Sequence, residues 1–346
     1  MNLRDLIERL GGRFASEGDA TPFSYGDVAG EVSAARSSVV VVDRSPRGKL
    51  LFKGDDCVSF LHGMLTNTVE GMSEGKGNHT SLTDAKGSTQ ADAWLYHCGD
   101  CLVMETEPGL QEKVSAFLDK YVIADDVEIA DCTEDCTILG VQGPKSGEIL
   151  ATLIGKDPGL GALEHTEVNI GDTDVRLVNR SYAGSAGYDL WVSGSAEGLF
   201  HLLVIEGAVP AGTEALETLR VESGIPRYGL DVDERVAPLE GGMADAVDFT
   251  KGCFIGQEVL AKMNNIGQPR RYLVGFDLGN ADLPESDTEF AVGGKAVGLS
   301  KSGVRSEAMG RTVCLGSVRR GFEAPGTKLQ GPDGLVAKVV DLPFVS

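Results

Sequence analysis

Apolar positions along this chain follow two textures, and the change from one to the other falls near Gly267. Before it, β-branched runs that suit buried strands alternate with stretches of helical spacing. Val39-Val-Val-Val-Asp43 and Lys49-Leu-Leu-Phe-Lys53 predict strands on either side of the turn Asp43-Arg-Ser-Pro-Arg-Gly48. Residues 54–61 predict a helix start with acidic residues in the first turn, closed by Thr66-Asn67. Residues 79–104 predict a β-meander, with Asp84-Ala-Lys-Gly87 as one turn, Cys98-Gly-Asp-Cys101 as a second and Asp92 to Tyr96 as a strand. Further on, the spacing predicts a helix over 110–118, a strand running into a loop over 137–144 with a helix after it, a strand over 174–178, a Tyr-bearing hairpin over 181–192 and a helix over about 197–206. Residues 1–31 predict one short helix and a loop. Thr213 is placed to cap a helix carrying Ala215, Leu216 and Leu219, with Glu214 in its first turn and Gly224 just past its end.

After about Tyr272 the pattern becomes short alternating apolar runs separated by Gly, Pro and Asp, which predicts a small antiparallel barrel or sandwich. The domain boundaries expected are therefore 1–267 for an α+β region and 268–346 for the β domain. Arg270 and Arg271 stand at the junction.

Just before that junction lies Lys251-Gly-Cys-Phe-Ile-Gly-Gln-Glu258. Good helix formers follow Gly256, with apolar residues at Ile255, Val259, Leu260 and Met263, and Asn264, Asn265, Gly267 and Pro269 stop the run. Cys253 is thus expected close to a helix N-terminus with Lys251 two positions away, a setting that favours thiolate over thiol. A buried cysteine filling a loop-to-helix junction is the plainer alternative.

Composition narrows the classes. A chain of 346 residues is long enough for two or three packed units. The hydrophobic fraction of 42% comes with no apolar run of membrane-spanning length, and residues 1–13 are amphipathic and charged, so a cytoplasmic location is expected, with no membrane partner. Seven cysteines, an odd number, predict reduced thiols rather than a disulfide framework. The C-x-x-C at Cys98 and Cys101 lacks a partner pair, so no metal is expected there. A formal net charge of -21 repels polyanions, and no direct nucleic-acid partner is expected. Glu222, at the exit of the helix that Thr213 opens, could take parallel hydrogen bonds from an amidine-like ring edge, or could simply be solvated.

Five stretches in this order carry a family resemblance: Gly54-Asp-Asp-Cys-Val-Ser-Phe-Leu-His-Gly-Met-Leu-Thr-Asn67, Leu139-Gly-Val-Gln-Gly-Pro144, Leu219-Arg-Val-Glu-Ser-Gly-Ile-Pro-Arg-Tyr-Gly229, Pro238-Leu-Glu240 and the Cys253 motif. Together they resemble the folate-binding proteins related to the glycine-cleavage T-protein, and Lys251-Gly-Cys253 resembles the YgfZ branch in particular. The resemblance implies an α+β fold of three domains in a ring around a central folate cavity, ending in an antiparallel β-barrel. It implies tetrahydrofolate or another reduced folate as cofactor, with Glu222, Tyr228, Lys251, Arg270 and Arg271 as contacts and Cys253 and Asp92 as catalytic residues. Two departures from T-proteins stand out: an Asp pair has become Ala91-Asp92, and an acidic Tyr-Thr-Gly-Glu-like segment has become Tyr182-Ala-Gly-Ser185. The function expected on this basis is that of the YgfZ branch. It is a folate-binding accessory factor for iron-sulfur protein assembly or repair, serving iron-sulfur client or assembly proteins and linked to tRNA modification only indirectly. The alternative is the aminomethyltransferase of glycine cleavage.

Overall fold

The computed structural model describes residues 2–345, and its chain divides into two compact units, each assembled from separate segments. The first comprises Met1–Gly54, Met72–Gly77 and Leu95–Leu219; the second comprises Asp55–Gly71, Asn78–Trp94 and Arg220–Ser346. The fold is mixed α+β, as the two textures of the sequence imply.

In the first unit a six-stranded sheet runs in the spatial order Val209–Pro210, Val40–Asp43, Cys136–Gln142, Gly187–Ser193, Thr173–Asn179 and His165–Ile170. Its central strands are buried on both faces, which is why they read as continuous apolar runs. The two-residue side-chain period sorts them. Val41 packs with Leu6, Ile7, Ile149, Leu199 and Phe200 from the helices Leu3–Arg9, Ser146–Ile154 and Glu197–Ile205. Val40 and Val42 pack on the opposite side with Val32 and Ala35 of the helix Val28–Ser37 and with Ala215 and Leu219 of Thr213–Glu222. Three more strands, Leu102–Thr106, Gly48–Lys53 and Glu128–Asp131, pair antiparallel around Gly48–Lys53.

Two expectations change here. The N-terminal stretch forms two helices, Leu3–Arg9 and Val28–Ser37, because Asn2 and Asp27 supply side-chain caps. The hairpin expected over 181–192 is instead made by Thr173–Asn179 and Gly187–Ser193, with residues 180–186 as its loop.

The second unit contains the helix Cys57–Met64, most of the hairpin Gly77–Thr83 and Thr89–His97, the helix Gln257–Asn265 and a closed six-stranded barrel. The barrel strands are Arg271–Gly279, Glu289–Val292, Lys295–Ser306, Arg311–Arg319, Lys328–Gln330 and Val336–Val340, and closure leaves no free sheet edge. Phe276 and Phe290 fill its interior with ring centroids 5.3 Å apart. Gly316 leaves room for them, since a Cβ there would stand 2.3 Å from the Phe276 ring. No helix among the described residues is long and apolar enough to cross a membrane.

Candidate active site

The second unit gathers its chemistry on the hairpin Gly77–Thr83 and Thr89–His97. Alternation along the second strand turns Asp92 and Trp94 to one face, and His79 reaches them from the first strand. His79 Nε2 lies 2.6 Å from Asp92 Oδ1 and Nδ1 lies 2.8 Å from Asp245 Oδ2, while the ring stacks on Trp94 at 4.9 Å between centroids. Burial opposes a charge on this imidazole, but Asp92 and Asp245 outweigh it and push its pKa up to about 10. His79 is therefore an imidazolium at neutral pH. Asp92 is only 3% exposed, and its Oδ2 takes no hydrogen bond among the described residues.

The surrounding loops fix this triad. Asn67 Nδ2 donates to the carbonyls of His79 at 2.8 Å and Asp245 at 3.2 Å, and the Thr66 hydroxyl donates to Ala246 O at 2.6 Å. The Thr66-Asn67 segment thus ties the hairpin to the short 3-10 turn Ala244–Ala246.

Lys251 serves the same segment. Its ammonium donates to His62 O, to Leu65 O at 2.7 Å and to Asn67 O at 2.9 Å, carbonyls left open as the helix Cys57–Met64 ends. Burial pushes Lys251 down to about 8, yet three acceptors engage all three of its N–H donors, which keeps it an ammonium at neutral pH. Its charge is committed to these carbonyls. Gly256 has φ +85° and opens the helix Gln257–Asn265, and a Cβ there would meet Asp84 O at 2.6 Å. Cys253 is exposed and lies outside the helix's first turn, with Gly256 rather than Cys253 at the cap.

Glu222 ends the helix Thr213–Glu222 at 2% exposure and accepts the Ser306 hydroxyl at 2.6 Å. Tyr228, also buried, sits in a turn held by Asp231, which pairs with Arg220 at 2.8 Å and accepts the Arg227 and Ser302 backbone N–H groups at 2.9 Å each. Arg270 and Arg271 line a cavity of about 390 Å³ together with Arg319 and Arg320.

The sequence reading found Asp92 and missed His79 and Asp245, because a pairing across 166 residues is invisible without the fold. It also missed Arg319-Arg320, although that dipeptide at a strand end mirrors Arg270-Arg271 and could have been noticed. In the first unit, Cys98 and Cys101 flank a hairpin turn, with Cys98 N–H donating to Cys101 O at 2.9 Å, and burial pushes the Cys98 thiol up to about 12. Among the described residues no three His, Cys, Asp or Glu side chains are grouped to hold a metal ion.

Residues 4–251 match the GCVT N-terminal domain and residues 271–346 match the glycine cleavage T-protein C-terminal barrel domain. The chain is 31% identical to the aminomethyltransferase of Rubrobacter xylanophilus over 93% of its own length and 87% of that protein. It is 28% identical to the aminomethyltransferase of Bacillus subtilis over 99% of its length and 98% of that protein. The crystal structure of the glycine cleavage system aminomethyltransferase T from Bartonella henselae superposes with a TM-score of 0.89 at 22% identity, covering 100% of this chain and 97% of that one, a likeness of fold. These relatives correct the expected function. They carry the name aminomethyltransferase, and none is named for iron-sulfur assembly or repair, so the accessory-factor role falls, and with it the reading of Cys253 as that factor's functional thiol. The chain belongs to the glycine-cleavage T-protein family, with both the N-terminal domain and the C-terminal barrel of that family present.

Proposed function

We propose that the protein is a folate-dependent aminomethyltransferase, moving a one-carbon unit from an aminomethyl-bearing carrier protein to tetrahydrofolate with release of ammonia. The observation that carries this reading is Asp92, a buried carboxylate held by the His79 imidazolium through one oxygen while the other keeps its acceptor capacity. Such an oxygen suits an N–H donor. Tetrahydrofolate, when bound, supplies the amine nitrogens that accept the one-carbon unit.

The chain's own residues have definable tasks in this reaction. Asp92 Oδ2 accepts a hydrogen bond from the reacting amine, orients its lone pair and is placed to take its proton. His79, stacked on Trp94, fixes the carboxylate's direction, and Asp245 fixes the imidazolium in turn. The second carboxylate of the T-protein pair is Ala91 here, and Ala91 is fully buried on the opposite face of the strand. A single carboxylate therefore has to serve the amine. Glu222, with the Ser306 hydroxyl behind it, suits a ring edge offering parallel N–H donors, and Tyr228 shares the segment that follows. Arg270 and Arg271 suit the carboxylates of the glutamate tail. Lys251 takes part by holding the Thr66-Asn67 loop rather than by donating to ligand. No step requires Cys253. The Lys251-Gly-Cys253 motif supports kinship with the YgfZ branch, a matter of descent within the family.

The test is an assay with aminomethyl-loaded lipoyl carrier protein and tetrahydrofolate. Ammonia release that depends on both components is expected; release at the background rate with a folded protein and a competent carrier would remove the proposal.

A further inference from the structure

We infer that the start of the barrel carries a binding site for a small multivalent oxyanion, built from Arg270, Arg271, Arg319 and Arg320. This deepens the proposed function, on which its carboxylate arm rests, by adding two residues to the pair expected from sequence, and its test needs no folate, so it can fail or succeed apart from the transfer reaction. The four side chains are brought together by strand register. Arg271 stands directly opposite Arg319, and the Arg320 N–H donates to Arg270 O at 2.9 Å, which carries the pairing one step further. Like charges opposite one another on neighbouring strands destabilise a sheet. The chain tolerates two such pairs in succession.

Elsewhere on the same barrel Lys301 Nζ lies 2.6 Å from Asp287 and Arg311 Nη1 lies 2.6 Å from Asp277, while Lys295, Arg305, Lys328 and Lys338 stand singly without an ion pair among the described residues. None of the four clustered guanidiniums has a carboxylate at ion-pair distance among the described residues, although the chain has 52 acidic residues against 31 basic ones. Glu240 Oε1 approaches, but it accepts the backbone N–H of Arg270 at 2.9 Å and no guanidinium. Arg271 Nη1 is sealed from solvent without an acceptor, an unmet donor that an oxyanion in the cavity would satisfy. A cavity of about 390 Å³ lined by these four residues accommodates a small anion. It offers no aromatic stacking surface, and the net charge of -21 repels a long polyanion, so a nucleic acid fits poorly. Fixed guanidinium forks favour adjacent carboxylates or phosphates over a single charge.

The ligand's shared chemistry is therefore two or more neighbouring anionic oxygens, from either a polycarboxylate or a phosphate source. Calorimetric titration of the intact protein at low ionic strength, with pyrophosphate, tricarballylate and acetate in separate arms, tests this. One site with a Kd of about 1 mM or tighter is expected for at least one of the first two, with acetate about tenfold weaker or worse. Tighter pyrophosphate binding assigns a phosphate source, and tighter tricarballylate binding a carboxylate source. Arg319→Gln/Arg320→Gln should weaken binding about tenfold or more, while Arg319→Lys/Arg320→Lys should retain part of it. If the glutamine pair does not fold, Arg320→Gln alone, at an exposed position, should still weaken binding about threefold. No saturable binding in either multivalent arm, acetate binding as tightly as both, or unchanged affinity in the glutamine variants would overturn the site.

Discussion

Two groups of arginines, one in each compact unit, follow opposite rules. In the first unit Arg44, Arg47 and Arg180 surround Glu105, which is fully buried: Arg47 Nε lies 2.5 Å from it, Arg44 Nη2 3.2 Å, and Arg180 also pairs with it. Arg44 further pairs with Asp189 and stacks on the Tyr182 ring at 3.8 Å, and Arg47 pairs with Glu107. Burial disfavours the Glu105 charge, but the three guanidiniums outweigh it and hold its pKa below the usual carboxylate range. In the second unit four arginines share a cavity, and no carboxylate among the described residues is paired to them. Both groups concentrate positive charge; they differ in whether the chain supplies the counter-charge. A cluster that the fold neutralises and seals is scaffolding, and one left unneutralised at a surface is suited to a ligand. The same contrast separates two carboxylates, since both oxygens of Glu105 are engaged and Asp92 holds one in reserve.

The comparison is broken most severely by removing the sealed acid. Glu105→Ala removes the acceptor that three buried guanidiniums share, leaving Asp189 and Glu107 to serve them, and should destabilise the protein by about 3–5 kcal/mol, read from urea unfolding. A cost below about 1 kcal/mol would mean that the network is not the scaffold described. Glu222→Gln probes the other side, where function rather than stability should suffer. Tetrahydrofolate affinity is expected to fall roughly 5- to 150-fold, corresponding to about 1–3 kcal/mol, in a direct titration. Unchanged affinity would take Glu222 out of the folate contacts.

A smaller effect comes from pH. The folded-state pKa of His79 is raised to about 10 from an ordinary 6.5. Its contribution to stability is therefore fully present below about pH 6.5 and is lost as pH rises through about 10. The stability gap between the unmodified protein and His79→Gln should be widest near pH 6 and shrink by pH 10.5. A gap that widens with alkalinity would reverse the assignment of the charge.

Much of this architecture is legible in the chain because it is local. Strand and helix periods mark Val40–Asp43, Gln111–Leu118, Gln257–Asn265 and the barrel strands to within a few residues, and the change in texture near Gly267 falls between the last helix and the barrel. The loop over 180–186 was misread as part of a strand because Tyr182 and Ala183 continue an apolar pattern that is set by packing on Arg44 and on the Val40 face instead. Asp92 is legible as one carboxylate on a strand. Its partners are not, because cross-strand register and the return of Asp245 decide which groups meet it. Lys251 illustrates the limit most clearly: proximity in sequence suggested service to Cys253, whereas the fold sends its ammonium to the end of a helix nearly two hundred residues earlier.

The central claim is that Asp92, oriented by a charged His79, handles the reacting amine. Single-turnover transfer from aminomethyl-loaded carrier to tetrahydrofolate by Asp92→Asn, beside a folate titration of the same variant, addresses it directly. The account predicts a rate lower by about 10²- to 10³-fold with folate affinity within a few-fold of the unmodified protein. A variant that transfers within about twofold of the unmodified rate would contradict it.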